Sequence, residues 1–336
     1  MSNNNMMSLF PDWEEFEQDL SQFLASSSCS SMHLFFSSDP RRTYHFSPRS
    51  IPKLESNDNF GFVDADNLNV PFVLSNSFNR VLPSSRSQEL LGALRSQPNN
   101  PVVIELGRYN DPRAGQFDQV EMPLKNYIDW LDDPSRTDGT IFDKQVYLAQ
   151  WRAADEISAV KDLIQVPSDL EPLLSGNIAD LYQTSFFIGP TGSVSPLHFD
   201  PYMNLYHLQA SSNPSYYAKH FTLLPPSVSH HLQNTSTRQF QRNTSSVDLH
   251  LVRKDSESGH PTFDIKLDSS LPDDIASTLT ETMMTCTLRE GETLFIPRGW
   301  WHRVENVSLV EDPRYRNIGW TAGVAWWFLL RGRSSS

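Results

Sequence analysis

The sequence predicts a mainly β domain of sandwich or barrel type with flanking helices. Two observations carry that expectation. From about residue 182 short apolar runs recur between Gly/Pro turns, at 184–188, 203–209, 219–224, 284–289, 293–297, 302–307 and 318–329. That spacing belongs to all-β sandwiches and barrels. Upstream, three- and four-residue apolar steps predict helices among isolated strands.

Residues 1–65 read as an amphipathic helix and a linker. Phe10, Trp13, Phe16, Leu20, Phe23 and Leu24 recur at helical spacing over residues 10–24, with acidic residues between them. Such a helix packs on its own domain or docks to a partner. A serine run, Ser26 to Ser28 with Ser30 and Ser31, ends it. Residues 35–66 contain polar turn residues and prolines and give no clear assignment.

Residues 66–180 form a mixed helical and β part of the main domain. Val70 to Leu74 predicts a strand, Gln88 to Arg95 a short helix, and the β-branched run Val102 to Leu106 a central strand. Leu124 to Leu131 and Ala153 to Ile164 predict helices. Residues 181–332 make the β core. A polar insertion, 227–283, interrupts it; its apolar spots Val247, Leu249, Leu251, Phe263 and Ile265 predict an added hairpin among loops. No internal repeat is present.

Bulk properties narrow the function. The chain has 336 residues, 38% of them hydrophobic, enough for a packed core. The net charge of −13 lacks the basic footprint of a nucleic-acid binder and suits a basic protein or peptide substrate. Cys29 and Cys286 lie far apart in unlike contexts and predict neither a disulfide framework nor a zinc motif. The N-terminal residues have no secretory pattern, and no run of about 18 apolar residues predicts a membrane span. The expected location is therefore intracellular, in cytoplasm or nucleus.

The most informative residues are His198, Asp200 and His302. On a strand, positions 198 and 200 point the same way. Two histidines and one carboxylate match the facial triad of non-haem Fe(II) sites, which leaves open positions for a cosubstrate and oxygen. His302 follows an apolar strand and two tryptophans, Trp300 and Trp301, so it sits in a dry setting. The other histidines, including His207, His220 and the pair His230–His231, read as structural or solvated. Lys219 is an odd charge at the head of an apolar run; an edge-strand lysine that deters pairing is one reading of it.

Several motifs carry a family resemblance. Phe187-Ile188-Gly189-Pro190, Ser195-Pro196-Leu197-His198-Phe199-Asp200-Pro201 with Asn204, and Gly291-Glu292-Thr293-Leu294-Phe295-Ile296-Pro297 with Trp301-His302 resemble the Jumonji-C (JmjC) oxygenases. Tyr147-Leu148-Ala149-Gln150 and Glu105-Leu106-Gly107-Arg108-Tyr109 resemble the small JmjC-only branch of arginyl-hydroxylase type. The resemblance runs from about residue 70 to 328.

It implies a double-stranded β-helix, the cupin jelly roll, with Fe(II) on His198, Asp200 and His302 and 2-oxoglutarate as cosubstrate, supported by ascorbate. It implies that Lys219, Tyr147 and Ser195 hold the distal carboxylate, with Asn204 nearby. It further implies that Glu105 pairs with a substrate guanidinium and that Phe187, Trp326 and Trp327 line the pocket. The turn between Asn204 and Lys219 reads as an expanded loop, Ala210 to Tyr217, that would displace Lys219. Ala325 stands where relatives often place Asn or Ser, removing one hydrogen bond worth about 0.5–1.5 kcal/mol. The expected activity is hydroxylation of a protein side chain, arginine first. N-methyl-lysine demethylation and an inactive metal-binding scaffold are the alternatives.

Overall fold

A computed structural model of the protein describes residues 45–55, 68–75, 86–110 and 116–331, except 142, 169, 234–242, 256–260, 269 and 311. The helix expected over 10–24, the serine run and Cys29 lie outside the described residues.

Eight strands carry the architecture. They are β1 (Ala179–Pro190), β2 (Val194–Phe199), β3 (Met203–Ser211), β4 (Tyr217–Leu224), β5 (Met284–Leu288), β6 (Thr293–Ile296), β7 (Trp301–Ser308) and β8 (Trp320–Leu330). Within a ten-stranded sheet they lie in the order β6-β3-β8-β1; within a five-stranded sheet, in the order β2-β7-β4-β5. Every pairing between them is antiparallel. A chain that passes back and forth between two such sheets is a double-stranded β-helix, the jelly roll. The larger sheet continues past β6 into Phe72–Ser75 and Lys53–Glu55. On the other side it continues past β1 into Lys144–Trp151, Pro101–Leu106 and Asp118–Pro123.

The strands are buried on both faces, so their sequences are not alternating. All eight residues of β4 are buried. Successive side chains still divide between two cores. Ala325 and Trp327 of β8 point between the sheets and meet Tyr206, Phe221, Leu223 and Val304. Val324, Trp326 and Phe328 point outward into a helical layer. There the helices Arg86–Arg95 and Leu124–Leu131 bury Leu90, Leu94, Tyr127 and Ile128. Each such apolar side chain contributes roughly 1.5–3 kcal/mol by burial. The Tyr127 hydroxyl donates to the Ile188 carbonyl at 2.6 Å and fixes the second helix on β1.

The insertion covers the outer face of the smaller sheet. A hairpin, Leu249–Lys254 with Thr262–Leu267, and a helix, Asp273–Thr282, pack Leu249, Ile265 and Leu279 on Leu197, Phe199, Leu224 and Trp301. The hairpin matches the expectation. The helix is new, although Pro272 ahead of it and Asp273 and Asp274 in its first turn are start signals.

Three expectations need correction. The helix predicted over Ala153 to Ile164 is two pieces, Ala153–Glu156 and Ser158–Leu163, because Ile157 is extended and buries its side chain. The expanded loop at 210–217 does not form: β3 runs to Ser211 and β4 starts at Tyr217, so only residues 212–216 connect them. Lys219 is not on an edge, since β4 pairs with β5 and β7.

Candidate metal centre

His198, Asp200 and His302 converge. One ligand atom from each lies within 4.8 Å of the others. The register explains it: His198 on β2 is the cross-strand partner of His302 on β7, and their rings are 4.2 Å apart. Ladder pairing of β2 ends at Phe199, and Asp200 continues on the same face, its Oδ2 3.5 Å from His302 Nε2.

Both histidines are oriented by the backbone. His198 Nδ1 lies 2.7 Å from the Pro196 carbonyl and His302 Nδ1 3.0 Å from the Trp300 carbonyl. With Nδ1 protonated and donating, each Nε2 lone pair is left for a cation; this is how metal-binding histidines are usually fixed. Burial, reinforced by His198, pushes the His302 imidazole well below its ordinary value, so it stays neutral. Burial raises the Asp200 carboxyl, and His198 opposes that. The Trp327 indole N–H faces this carboxylate without closing a hydrogen bond. Two imidazoles and one buried carboxylate form a donor set that fits a divalent transition metal.

A second polar cluster lies further in, between the sheets. Lys219 is fully buried, and its Nζ donates to the Tyr147 hydroxyl at 3.0 Å. The Tyr147 and Tyr206 rings flank the ammonium at 5.3 and 5.7 Å. Burial lowers the Lys219 pKa to about 7. The Ser195 hydroxyl faces the Tyr147 hydroxyl. Asn204 Oδ1 and the Tyr206 hydroxyl are buried without partners. Buried polar atoms are normally satisfied; the Lys219 ammonium and the Tyr206 hydroxyl can donate, which fits a small anion with several acceptor oxygens, whereas Asn204 Oδ1 only accepts.

Gly189 and Gly323 make room for the two tyrosines. A Cβ on Gly189 would lie 2.5 Å from the Tyr147 ring, and one on Gly323 2.0 Å from the Tyr206 hydroxyl.

Other expected site residues divide. Phe187 and Trp327 sit together, ring centroids 6.4 Å apart, on the inner face. Ala325 is on that face too, fully buried. Trp326 is not: adjacent strand residues face opposite ways, and its ring lies in the outer core near His207. Trp326→Ala is expected to cost about 3–5 kcal/mol in urea unfolding as a core truncation, with Mn(II) affinity of the folded protein unchanged. Glu105 sits on Pro101–Leu106 opposite Tyr147. Burial raises its pKa to about 7. Tyr206 was missed by sequence reasoning, although it stands two residues after Asn204 and so on the same face. The His230 and His231 rings lie 3.7 Å apart and tilted on a short helix, and they belong to no metal-ligand group among the described residues.

The cupin-like domain family model matches residues 62–330. The chain belongs to the cupin-like domain family. Its relatives place it among the JmjC-type members. It is 26% identical over 71% of its length to the lysine-specific demethylase JMJ30 of Arabidopsis thaliana. It is 28% identical over 62% to the lysine-specific demethylase 8 of Danio rerio, and 30% identical over 55% to the human bifunctional peptidase and (3S)-lysyl hydroxylase JMJD7. The matches span 52%, 43% and 55% of those proteins, about half their lengths.

Proposed function

We propose that this JmjC-type cupin domain is an Fe(II)- and 2-oxoglutarate-dependent oxygenase that hydroxylates a protein side chain, arginine first. The observation that carries the reading is the pairing of two sites: a His-Asp-His donor set and, deeper in, a buried ammonium among unpartnered polar atoms.

His198, Asp200 and His302 would hold the iron. Bound Fe(II) supplies, with oxygen and 2-oxoglutarate, the oxidation of a C–H bond as the cosubstrate loses carbon dioxide to become succinate. The remaining steps belong to the chain. Lys219 and the Tyr147 hydroxyl, with Ser195, hold the distal carboxylate, because a buried anion needs a paired cation and donors. The Tyr206 hydroxyl offers a further donor beside it, and Asn204 can contribute only through its side-chain NH2. Phe187 and Trp327 wall the cavity and exclude water. Glu105 receives the substrate cation.

A basic side chain beside Glu105 favours its ionised form, so binding expels a proton below about pH 7. The KM for a basic peptide is expected to fall as pH rises from 6 to 8 and then level off. Glu105→Gln removes that dependence and raises KM roughly 10- to 100-fold, the worth of a charged hydrogen bond. A KM that rises with pH, in steady-state assays, would count against this role.

N-methyl-lysine demethylation is the second reading, favoured by the names of two relatives. The test is succinate release under Fe(II) and ascorbate, comparing wild type with His198→Ala. Equal turnover would eliminate both enzymatic readings in favour of the scaffold. Mass spectrometry of peptide products then separates gain of oxygen from loss of methyl. No helix among the described residues is long and apolar enough to cross a membrane, and action in cytoplasm or nucleus is part of the proposal.

A further inference from the structure

β2 carries the first ligand, yet it is the outermost strand of its sheet, with only β7 beside it there. It is also irregular, its register shifting between Ser195 and His198. An edge strand of this kind frays unless something covers it.

The covering piece comes from the insertion. The Phe199 N–H donates to the Asn243 carbonyl at 3.0 Å, and the Ser245 N–H donates to the Leu197 carbonyl at 2.8 Å. The Asn243 side-chain amide donates back to the Phe199 carbonyl at 3.2 Å. Thr244 lies directly across from His198 as an antiparallel bridge. The Thr244 side chain also faces the Tyr109 hydroxyl, whose ring stands edge-on to the His198 imidazole at 6.4 Å. Three residues of the insertion thus form a strap along the ligand strand, and Tyr109 stands beside both Thr244 and His198.

We propose that Thr244 and Tyr109 are positioning residues that hold His198 for the metal through this strap, so that metal binding and ordering of Asn243–Ser245 reinforce each other. The proposal rests on the metal-centre reading above. Thr244 touches no reacting atom; it acts through the backbone of β2 and through Tyr109. Reciprocity is required by linkage: if the strap favours the metal, the metal must favour the strap by the same factor.

The experiment is Mn(II) titration of the full chain, followed by the paramagnetic resonance of free Mn(II), for wild type, Thr244→Val, Thr244→Ser and Tyr109→Phe. Thr244→Val and Tyr109→Phe are each expected to weaken Mn(II) binding about 2- to 10-fold, the size of one lost hydrogen bond. The double variant should be no weaker than the worse single one, since both remove the same contact. Thr244→Ser should keep wild-type affinity. A second measurement needs no variant: amide hydrogen exchange at Leu197–Phe199 and Asn243–Ser245 should slow when Mn(II) is added to wild type. Equal affinity in all four proteins, or exchange at the strap that ignores Mn(II), overturns the proposal. A wild type that takes up no Mn(II) at all overturns the metal reading itself, a separate and recognisable failure.

Discussion

His302→Ala is expected to abolish measurable metal binding and to reduce succinate release to the level of a reagent blank. The imidazole is central to the site: it is the cross-strand partner of His198, and its Nε2 lies 3.5 Å from Asp200. Loss of a partner that merely orients a ligand costs about 10- to 100-fold in metal affinity, so loss of the ligand itself is expected to exceed about 100-fold. Because burial lowers the His302 pKa, removing the imidazole takes away a protonation penalty only below its ordinary value of 6.5 and shifts no proton balance at neutral pH. The folded protein should therefore survive, with little change in urea unfolding. Retained tight Mn(II) binding by His302→Ala in calorimetry would end the facial-triad account.

Lys219→Met is expected to act in two opposite directions. For the protein without cosubstrate it should be stabilising. The Lys219 pKa lies at about 7 in the fold against an ordinary 10.5. Between those values the unfolded chain binds more protons than the folded one, so stability rises with pH across that window. The full penalty applies below about pH 7, where it amounts to about 3–5 kcal/mol, and it vanishes as pH approaches 10.5. Methionine removes the penalty and keeps the volume. The variant should unfold at higher urea than wild type at pH 7, with the gap closing toward pH 10.

For 2-oxoglutarate the same substitution should be ruinous. Breaking a buried charge pair costs about 3–5 kcal/mol, roughly 10²- to 10⁴-fold in affinity. A bound carboxylate favours the charged ammonium, so wild-type affinity should weaken as pH climbs above about 7. Calorimetric titration of 2-oxoglutarate at pH 6.5 and 8.5 checks the trend. Tighter binding at the higher pH would remove Lys219 from the role proposed for it.

Much of this architecture is legible from residue order alone, and the reasons differ by element. His198 and Asp200 are readable because strand alternation is a local rule. His302 is readable as a ligand type, but its register opposite His198 is a matter of long-range pairing that composition does not encode. The ends of β3 and β4 were misplaced because Ala210, Ser211, Tyr217 and Ala218 lack a strong β-branched signal, yet all four are buried by neighbouring strands. The resemblance puts Trp326 and Trp327 together in the pocket, where strand alternation alone separates them. The helix at Asp273–Thr282 was hidden by a polar composition that its buried face, Ala276 and Leu279, barely disturbs. Thr244 gives no local signal at all; its place beside His198 is purely tertiary.

Gly189 and Gly323 have no functional group, yet each faces a tyrosine whose ring fills the space a methyl would take. The two tyrosines frame the lysine ammonium, so the backbone at these glycines acts as a mould for the proposed cosubstrate chamber. A cousin of this chain with alanine at 323 would retain every donor atom and still present a deformed berth. Judging which members of such a lineage remain competent therefore requires inspecting two empty places as well as the conspicuous side chains.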